Sequence, residues 1–358
     1  MFDRSGNGVI RVLIVDDSAV IREHLQHILV SEPDITIAGY AVNGEEGVEL
    51  ARQTRPDVIT MDLNMPCLNG IEATRRIMES TPVPIVVVSS NWSPNEMATM
   101  FEAMEAGAVA VIQTPVGVGH ARFNESASQF VETIRLMAGV KVMKRKGKRR
   151  SGLTGATTLP KIMPKQATSI KLVAIGASLG GPPALHAILT RLEKDFRIPV
   201  VICQHIAPGF LQGLVDWLTT TTGFPVHIGT HGESLVAGHA YIAPDAHQMG
   251  VAAGHHVALS SSAAEGGLRP SVSYLLRSVG RVYGASAVGV LLTGMGRDGA
   301  EELKAMRDSG AVTIAQDQKS SVVHGMPGEA IRLGGATYVL EPEEIAAMLN
   351  EFSLAQAG

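Results

Sequence analysis

Six side chains in this sequence are of types that do phosphoryl or acyl chemistry, and each closes or follows an apolar run. Asp16 and Asp17 end VIRVLIVDD (9–17), and Asp62 ends DVITMD (57–62). Three carboxylates at strand ends would form a negative pocket suited to a hard divalent cation. Mg²⁺ keeps waters and takes only one or two carboxylates directly. Such a cation would offset the charge of an incoming phosphoryl group and leave one Asp free as nucleophile. Helix capping by Asp17 or Ser18 is the plainer use of the same residues.

The other three are Ser178, His205 and Asp298. GASLG (176–180) fits G-x-S-x-G, in which Ser sits on a sharp strand-to-helix turn. Pro182 and Pro183 suit the opening of the following helix, whose first turn needs no N–H. A glycine-rich turn of this kind serves equally to cradle a phosphate. His205 closes IPVVICQH (198–205), and Asp298 lies in LTGMGRDG (292–299) just after a further apolar run. Converging at strand ends, Ser would attack, His would take its proton and Asp would orient the imidazole. The order Ser…His…Asp differs from the Ser…Asp…His order of α/β-hydrolases, so the motif does not imply that fold.

These residues require strands that end together. In the first third, strands are predicted at 9–17, 35–41, 57–62, 85–90 and 108–113, with helices at 18–32, 44–53, 70–79, 94–106 and 125–138. The near-continuous apolar strands suit one parallel sheet covered on both faces. A second α/β pattern begins at residue 170. Its strands are predicted at 170–178, 198–205, 225–229, 239–244, 256–259, 287–294, 311–316 and 336–340. Its helices are predicted at 182–193, 210–220, 270–281, 299–309 and 341–352.

Charge divides the chain in the same places. Residues 1–140 carry 18 acidic residues, 9 arginines and no lysine; residues 141–169 carry 9 basic residues and no acidic one. A chain that changes sign there reads as two domains joined by a tether. The expected division is 9–130, a helix end and basic flexible linker at 131–169, and a second domain at 170–354. Hydrophobic residues at 45% supply two cores, and aromatics at 4% make those cores aliphatic. Cys67 and Cys203 cannot form a disulfide framework and suit a reducing cytoplasm. No apolar run is long enough for membrane insertion. The twelve histidines show no ligand spacing, so no structural zinc is expected; His255 and His256 would point apart on a strand.

VDDS (15–18), MDLNMPCLNG (61–70) and SS (89–90) resemble the receiver domain of response regulators over residues 9–130. That resemblance implies a flavodoxin-like five-stranded parallel sheet with Asp62 as phospho-acceptor. It also implies Mg²⁺ held at Asp16, Asp17 and Asp62, Ser89 on the phosphoryl group, and a chemotaxis-type histidine kinase as donor. IGASLGGP (175–182), QHIAPGF (204–210), GHAYIAP (238–244), RPSV (269–272), LTGMGRDGA (292–300) and GMP (325–327) are similar to the chemotaxis methylesterase family, CheB. The similarity implies a doubly wound, mostly parallel α/β domain. It implies a Ser178–His205–Asp298 triad acting on methyl glutamyl esters of chemoreceptor cytoplasmic helices, with glutamine deamidation in some members. The Met295 backbone amide would bind the oxyanion, no cofactor would serve the esterase, and the unphosphorylated receiver would restrict access.

Four positions depart from these patterns. Thr114 stands where receivers carry a lysine before the proline after the fifth strand, and Val111 replaces an often aromatic residue. Leu179 replaces a threonine, and RPSVD reads RPSVS, with Ser273 replacing the acid. The alternative function is a regulatory binding module with little turnover outside chemotaxis. Nucleic-acid binding is not expected, because the basic linker lacks aromatics and any helix–turn–helix pattern.

Overall fold

In a computed structural model, residues 8–90, 94–140, 142, 169–207 and 209–355 are described. The chain divides into two compact units, Met1–Gly152 and Leu153–Gly358. Most of the expected basic linker lies outside the described residues.

The first unit has strands β1 (Ile10–Val15), β2 (Ile35–Ala41), β3 (Val58–Met61), β4 (Ile85–Ser89) and β5 (Ala110–Gln113). Between them run α1 (Ala19–Val30), α2 (Gly44–Thr54), α3 (Gly70–Ser80) and α4 (Pro94–Ala106), and α5 (Phe123–Ala138) follows β5. The strands are parallel in the order β2-β1-β3-β4-β5. Val12, Leu13, Ile14, Ile59, Ile85, Val86 and Val87 are buried, as strands covered on both faces require. Helix starts are set locally: Ser18, Asn43 and Asn69 each accept a backbone N–H from the first turn of the helix they cap. Strand order reverses between β1 and β3, where ligands gather in open α/β sheets.

The second unit is built on a seven-stranded parallel sheet in the order β14-β13-β12-β6-β7-β9-β8. Its strands are β6 (Leu172–Ala177), β7 (Val200–Gln204), β8 (Val226–Ile228), β9 (Ala240–Ile242), β12 (Ala287–Leu291), β13 (Val312–Gln316) and β14 (Tyr338–Leu340). An antiparallel hairpin, β10 (Gln248–Ala252) and β11 (His256–Ser260), stands apart from it. The helices are α6 (Gly181–Leu189), α7 (Leu211–Thr222), α8 (Val272–Tyr283), α9 (Ala300–Asp308), α10 (Met326–Arg332) and α11 (Pro342–Leu354). Among these, α6 packs against α7 and α11, and α9 against α8 and α10. Again the order reverses beside the first strand, between β6 and β12. No helix among the described residues is long and apolar enough to cross a membrane.

Two elements differ from the sequence expectation. β10 occupies a stretch to which the sequence assigns no element; it opens on Gln248 and contains Gly250. Both residues are used inside: buried Gln248 donates to the carbonyls of Ala263 and Leu268, and Gly250 leaves room for Ser278. α10 is only seven residues long and carries Pro327 and Gly328 in its first turn, so its residues resemble a turn. His255 and His256 do not share a strand. His255 turns the hairpin at φ 63°, and His256 opens β11.

Candidate active site

The receiver carboxylates meet at the switch point of the first sheet. Asp16 follows β1 and is buried, Asp17 is exposed, and Asp62, after β3, is half-buried. With Ser89 and Thr114 they line a pocket of about 230 Å³. One carboxylate oxygen of Asp16 accepts the Ser18 N–H at 2.8 Å, and Asp62 accepts the Asn64 N–H at 3.1 Å. Ser18 caps α1, so capping and acidic clustering coexist. Burial pushes the Asp16 carboxyl up to about 6, against the Ser18 hydrogen bond, and the neighbouring charges of Asp62 and Asp17 add to the rise. Carboxylates that repel one another in a partly dry pocket fit a divalent cation. Among the described residues, no group of three or more His, Cys, Asp or Glu side chains is arranged to hold a metal ion. Mg²⁺ does not need one, since waters and phosphoryl oxygens complete its shell.

The DLNMPxxxG spacing has a steric origin. A Cβ on Gly70 would overlap the Asp62 carbonyl oxygen, and the Gly70 N–H donates to Leu63 O. The start of α3 is thereby held against the loop that carries Asp62.

In the second unit, Ser178 follows β6, His205 follows β7 and Asp298 follows β12. β6 pairs with both β7 and β12, so the three side chains arise from adjacent strand ends. His205 Nε2 and Asp298 Oδ2 lie 3.0 Å apart. Pairing through Nε2 leaves Nδ1 as the nitrogen available to a nucleophile. Among the described residues, no hydrogen bond joins Ser178 Oγ to His205, and such contacts often tighten only with substrate bound.

Asp298 is held on every side. It accepts the Ser271 hydroxyl at 3.0 Å and the backbone N–H groups of Val272 and Ser273 at 2.7 and 2.9 Å. Ser271 caps α8, so this carboxylate sits on the unpaired amides and partial positive charge of a helix N-terminus. Burial alone would raise its pKa; hydrogen bonds from His205, Ser273 and Val272 outweigh that and hold it at about 2. The carboxylate is therefore ionised at neutral pH, as an imidazole-orienting group must be.

Two buried polar side chains at strand ends complete the frame. Gln204 Nε2 donates to the carbonyls of Ser178 and His205, both at 2.8 Å. Thr293 Oγ1 donates to Leu179 O and accepts the Val323 N–H. Sequence reasoning assigned no role to Gln204, Ser271 or Thr293, although a glutamine closing a wholly apolar strand was a usable signal. Exposed Met295 adjoins Gly294, the residue that meets Ser178. A Cβ on Gly294 would lie 2.7 Å from Ser178 Cβ and closer still to Met326 Sδ. Gly294→Ala is thus expected to displace Ser178 and lower ester turnover by roughly 10²-fold, as ångström-scale misplacement does. A Michaelis analysis paired with a thermal melt checks this.

Comparison with known proteins follows the same division. The model of the CheB methylesterase family matches residues 173–349, and that of the response regulator receiver domain matches residues 12–121. A protein-glutamate methylesterase/protein-glutamine glutaminase of Nitrosospira multiformis is 50% identical over 342 residues, 96% of each chain. One from Geobacter metallireducens is 50% identical over 349 residues, 97% of this chain and 99% of that one. The CheB methylesterase catalytic domain of Thermotoga maritima, a crystal structure, is 36% identical with a TM-score of 0.50, covering 51% of this chain and 99% of that one. With a receiver fold ahead of a Ser, His and Asp gathered on three adjacent strand ends, and relatives matched along nearly its whole length, this chain belongs to the CheB protein-glutamate methylesterase family.

Proposed function

We propose that this chain hydrolyses glutamate methyl esters on the cytoplasmic helices of chemoreceptors, releasing methanol, and deamidates glutamines at the same site. The observation that carries this reading is Asp298, ionised in the cap of α8 and paired with His205, one strand from Ser178. Ser178 Oγ attacks the acyl carbon while His205 Nδ1 takes its proton. The Met295 N–H binds the developing oxyanion. His205 then protonates the departing methanol or ammonia, and water repeats the sequence to free the glutamate. The relatives' names favour this enzyme over the binding-module alternative. Methanol release from methylated receptor, followed for the wild type and for Ser178→Ala, is the test; equal rates would remove Ser178 as nucleophile.

The proposed domain limits are 9–130 for the receiver, 131–169 for the helix end and linker, and 170–354 for the esterase. Asp62 takes the phosphoryl group from a chemotaxis-type histidine kinase in the cytoplasm. Asp16, Asp17 and Asp62 hold Mg²⁺, with Ser89 beside the phosphoryl oxygens. When bound, the cation offsets phosphoryl charge. Thr114 borders this pocket in place of a lysine, so no ammonium from that position pairs with the phosphate. Phosphorylation creates contacts made only in the modified state, and a missing charged contact weakens the switch. Thr114→Lys is expected to raise the ratio of phosphorylated to unphosphorylated esterase activity by roughly fivefold or more, the lower end of ordinary coupling energies. The comparison is made at equal, directly measured phosphorylation; an unchanged ratio would show that the lysine is dispensable here.

A further inference from the structure

The ladder that joins β6 to β7 has one rung that is not backbone. Its last paired residues are Ala177 and Gln204, and its last backbone bond runs from the His205 N–H to Ala177 O at 2.9 Å. Beyond that point β6 turns into α6 through Gly180, at φ 76°. Among the described residues, no backbone hydrogen bond joins Ser178 to His205. The side chain of Gln204 closes the gap. Its Nε2 donates to Ser178 O and to His205 O, both at 2.8 Å. Both partners are carbonyls, which only accept, so they fix which end of the amide faces them. Ser178 O also accepts the Gly181 N–H at 2.9 Å, and the Ser178 N–H donates to Thr293 O at 3.0 Å on the β12 side. The main chain of the nucleophile is therefore gripped from both neighbouring strands, and on the β7 side the grip is one side-chain amide.

We propose that Gln204 is a positioning residue for the esterase: its amide ties the strand end that carries the nucleophile to the strand end that carries the base, and so sets the approach of Ser178 to His205. This deepens the esterase reading above and rests on it. Filling space does not require an amide here. Gln204 is 2% exposed and closes a strand whose other residues, Val200, Val201, Ile202 and Cys203, are apolar and buried. A leucine or methionine would fill a similar volume without burying polar atoms. The glutamine is also incompletely satisfied, since among the described residues its Oε1 has no hydrogen-bond partner. Buried unpaired oxygens are costly and rare, and one that persists calls for a use of the group that carries it. Gly181 makes room for that oxygen: a Cβ there would overlap Gln204 Oε1. His205 is thus held at two points, by Asp298 at its ring and by Gln204 at its carbonyl. The first sets the tautomer, and the second sets where the ring stands relative to Ser178.

The test uses the full chain and two readouts. One is hydrogen exchange at the His205 N–H, the last backbone bond of the ladder, which needs no turnover. The other is methanol release from methylated receptor, with kcat and KM separated. Gln204→Met keeps the length of the side chain and removes its donor. It is expected to speed exchange at the His205 N–H roughly tenfold or more while the mid-strand amides of β7 keep their rates. Its kcat is expected to fall roughly 10²-fold at unchanged KM, the cost of an ångström-scale misplacement. If that variant does not fold, Gln204→Asn, whose amide stops short of both carbonyls, takes its place with the same changes expected. Gln204→Glu separates donation from packing. Burial and the two carbonyls favour the protonated form of the new side chain, whose single O–H can serve one of them. Its kcat is expected to exceed that of Gln204→Met several-fold at about pH 6 and to fall to the same level by about pH 9. His205 titrates in both variants and cancels in that comparison. A kcat near the wild-type value in Gln204→Met, with exchange unmoved, would overturn the proposal. So would exchange raised equally along β7, since Gln204 would then act on the fold, or equal kcat for Gln204→Glu and Gln204→Met at both pH values. If the wild type releases no methanol, the esterase reading falls, while exchange at the His205 N–H still decides whether Gln204 ties the two strand ends.

Discussion

Asp298→Asn is expected to lower methanol release by roughly 10⁴-fold in a protein that still folds, the loss typical of forcing a catalytic imidazole into the wrong tautomer. An asparagine amide would turn one N–H₂ toward the site. Ser273 N–H and the Ser271 hydroxyl donate to Oδ1, while Val272 N–H donates to Oδ2, the oxygen that His205 meets. With the amide oxygen kept at Oδ1, the NH₂ takes the Oδ2 place, faces His205 and costs the Val272 N–H its acceptor. His205 Nε2 would then have to accept rather than donate, leaving Nδ1 protonated and unable to take the Ser178 proton. The same substitution separates the electrostatic role from the steric one. Asp298 has a folded-state pKa of about 2, below the unfolded value of about 3.9, so its contribution to stability is fully present above the unfolded value. That contribution is lost as pH falls through about 2. Between pH 5 and pH 2 the thermal midpoint of the wild type is expected to drop more than that of Asp298→Asn. Equal drops would mean that the carboxylate is not held in the ionised form by α8.

Asp62→Asn is expected to reduce labelling by a small phosphodonor with Mg²⁺ to background. Asp16 is a poor substitute acceptor: it is buried, one of its oxygens is occupied by Ser18 N–H, and its carboxyl is pushed up to about 6. Asp17 is exposed, outside the partly dry part of the pocket. Only Asp62 is both half-buried in the pocket and carried on a loop pinned by Gly70. Intact protein mass spectrometry reads the added phosphoryl group, and full labelling of the variant would move the acceptor to Asp16 or Asp17.

Asp62, Ser178 and His205 were legible because each closes or follows an apolar run that becomes a central parallel strand, so its place in the sequence already fixes its place at the sheet edge. Asp298 was legible for the same reason, as the next loop after β12. What surrounds Asp298 was not. Ser271, Val272 and Ser273 reach it from a helix start more than twenty residues earlier. No local periodicity encodes such contacts. β10 escaped for a related reason, since Gln248 and Gly250 follow demands set by distant partners, whereas α10 is one short helix whose opening Pro327 and Gly328 look like a turn.

The most direct test of the Ser178–His205–Asp298 chemistry is to look for the covalent intermediate. Methylated receptor peptide is mixed with the full chain, turnover is quenched with acid, and the digested protein is read by mass spectrometry. The expected result is a glutamyl ester on Ser178 in the wild type, absent in Ser178→Ala and strongly reduced in His205→Ala, where no base takes the Ser178 proton to form it. Methanol released at the wild-type rate by Ser178→Ala, with no adduct on Ser178 in the wild type, would contradict it.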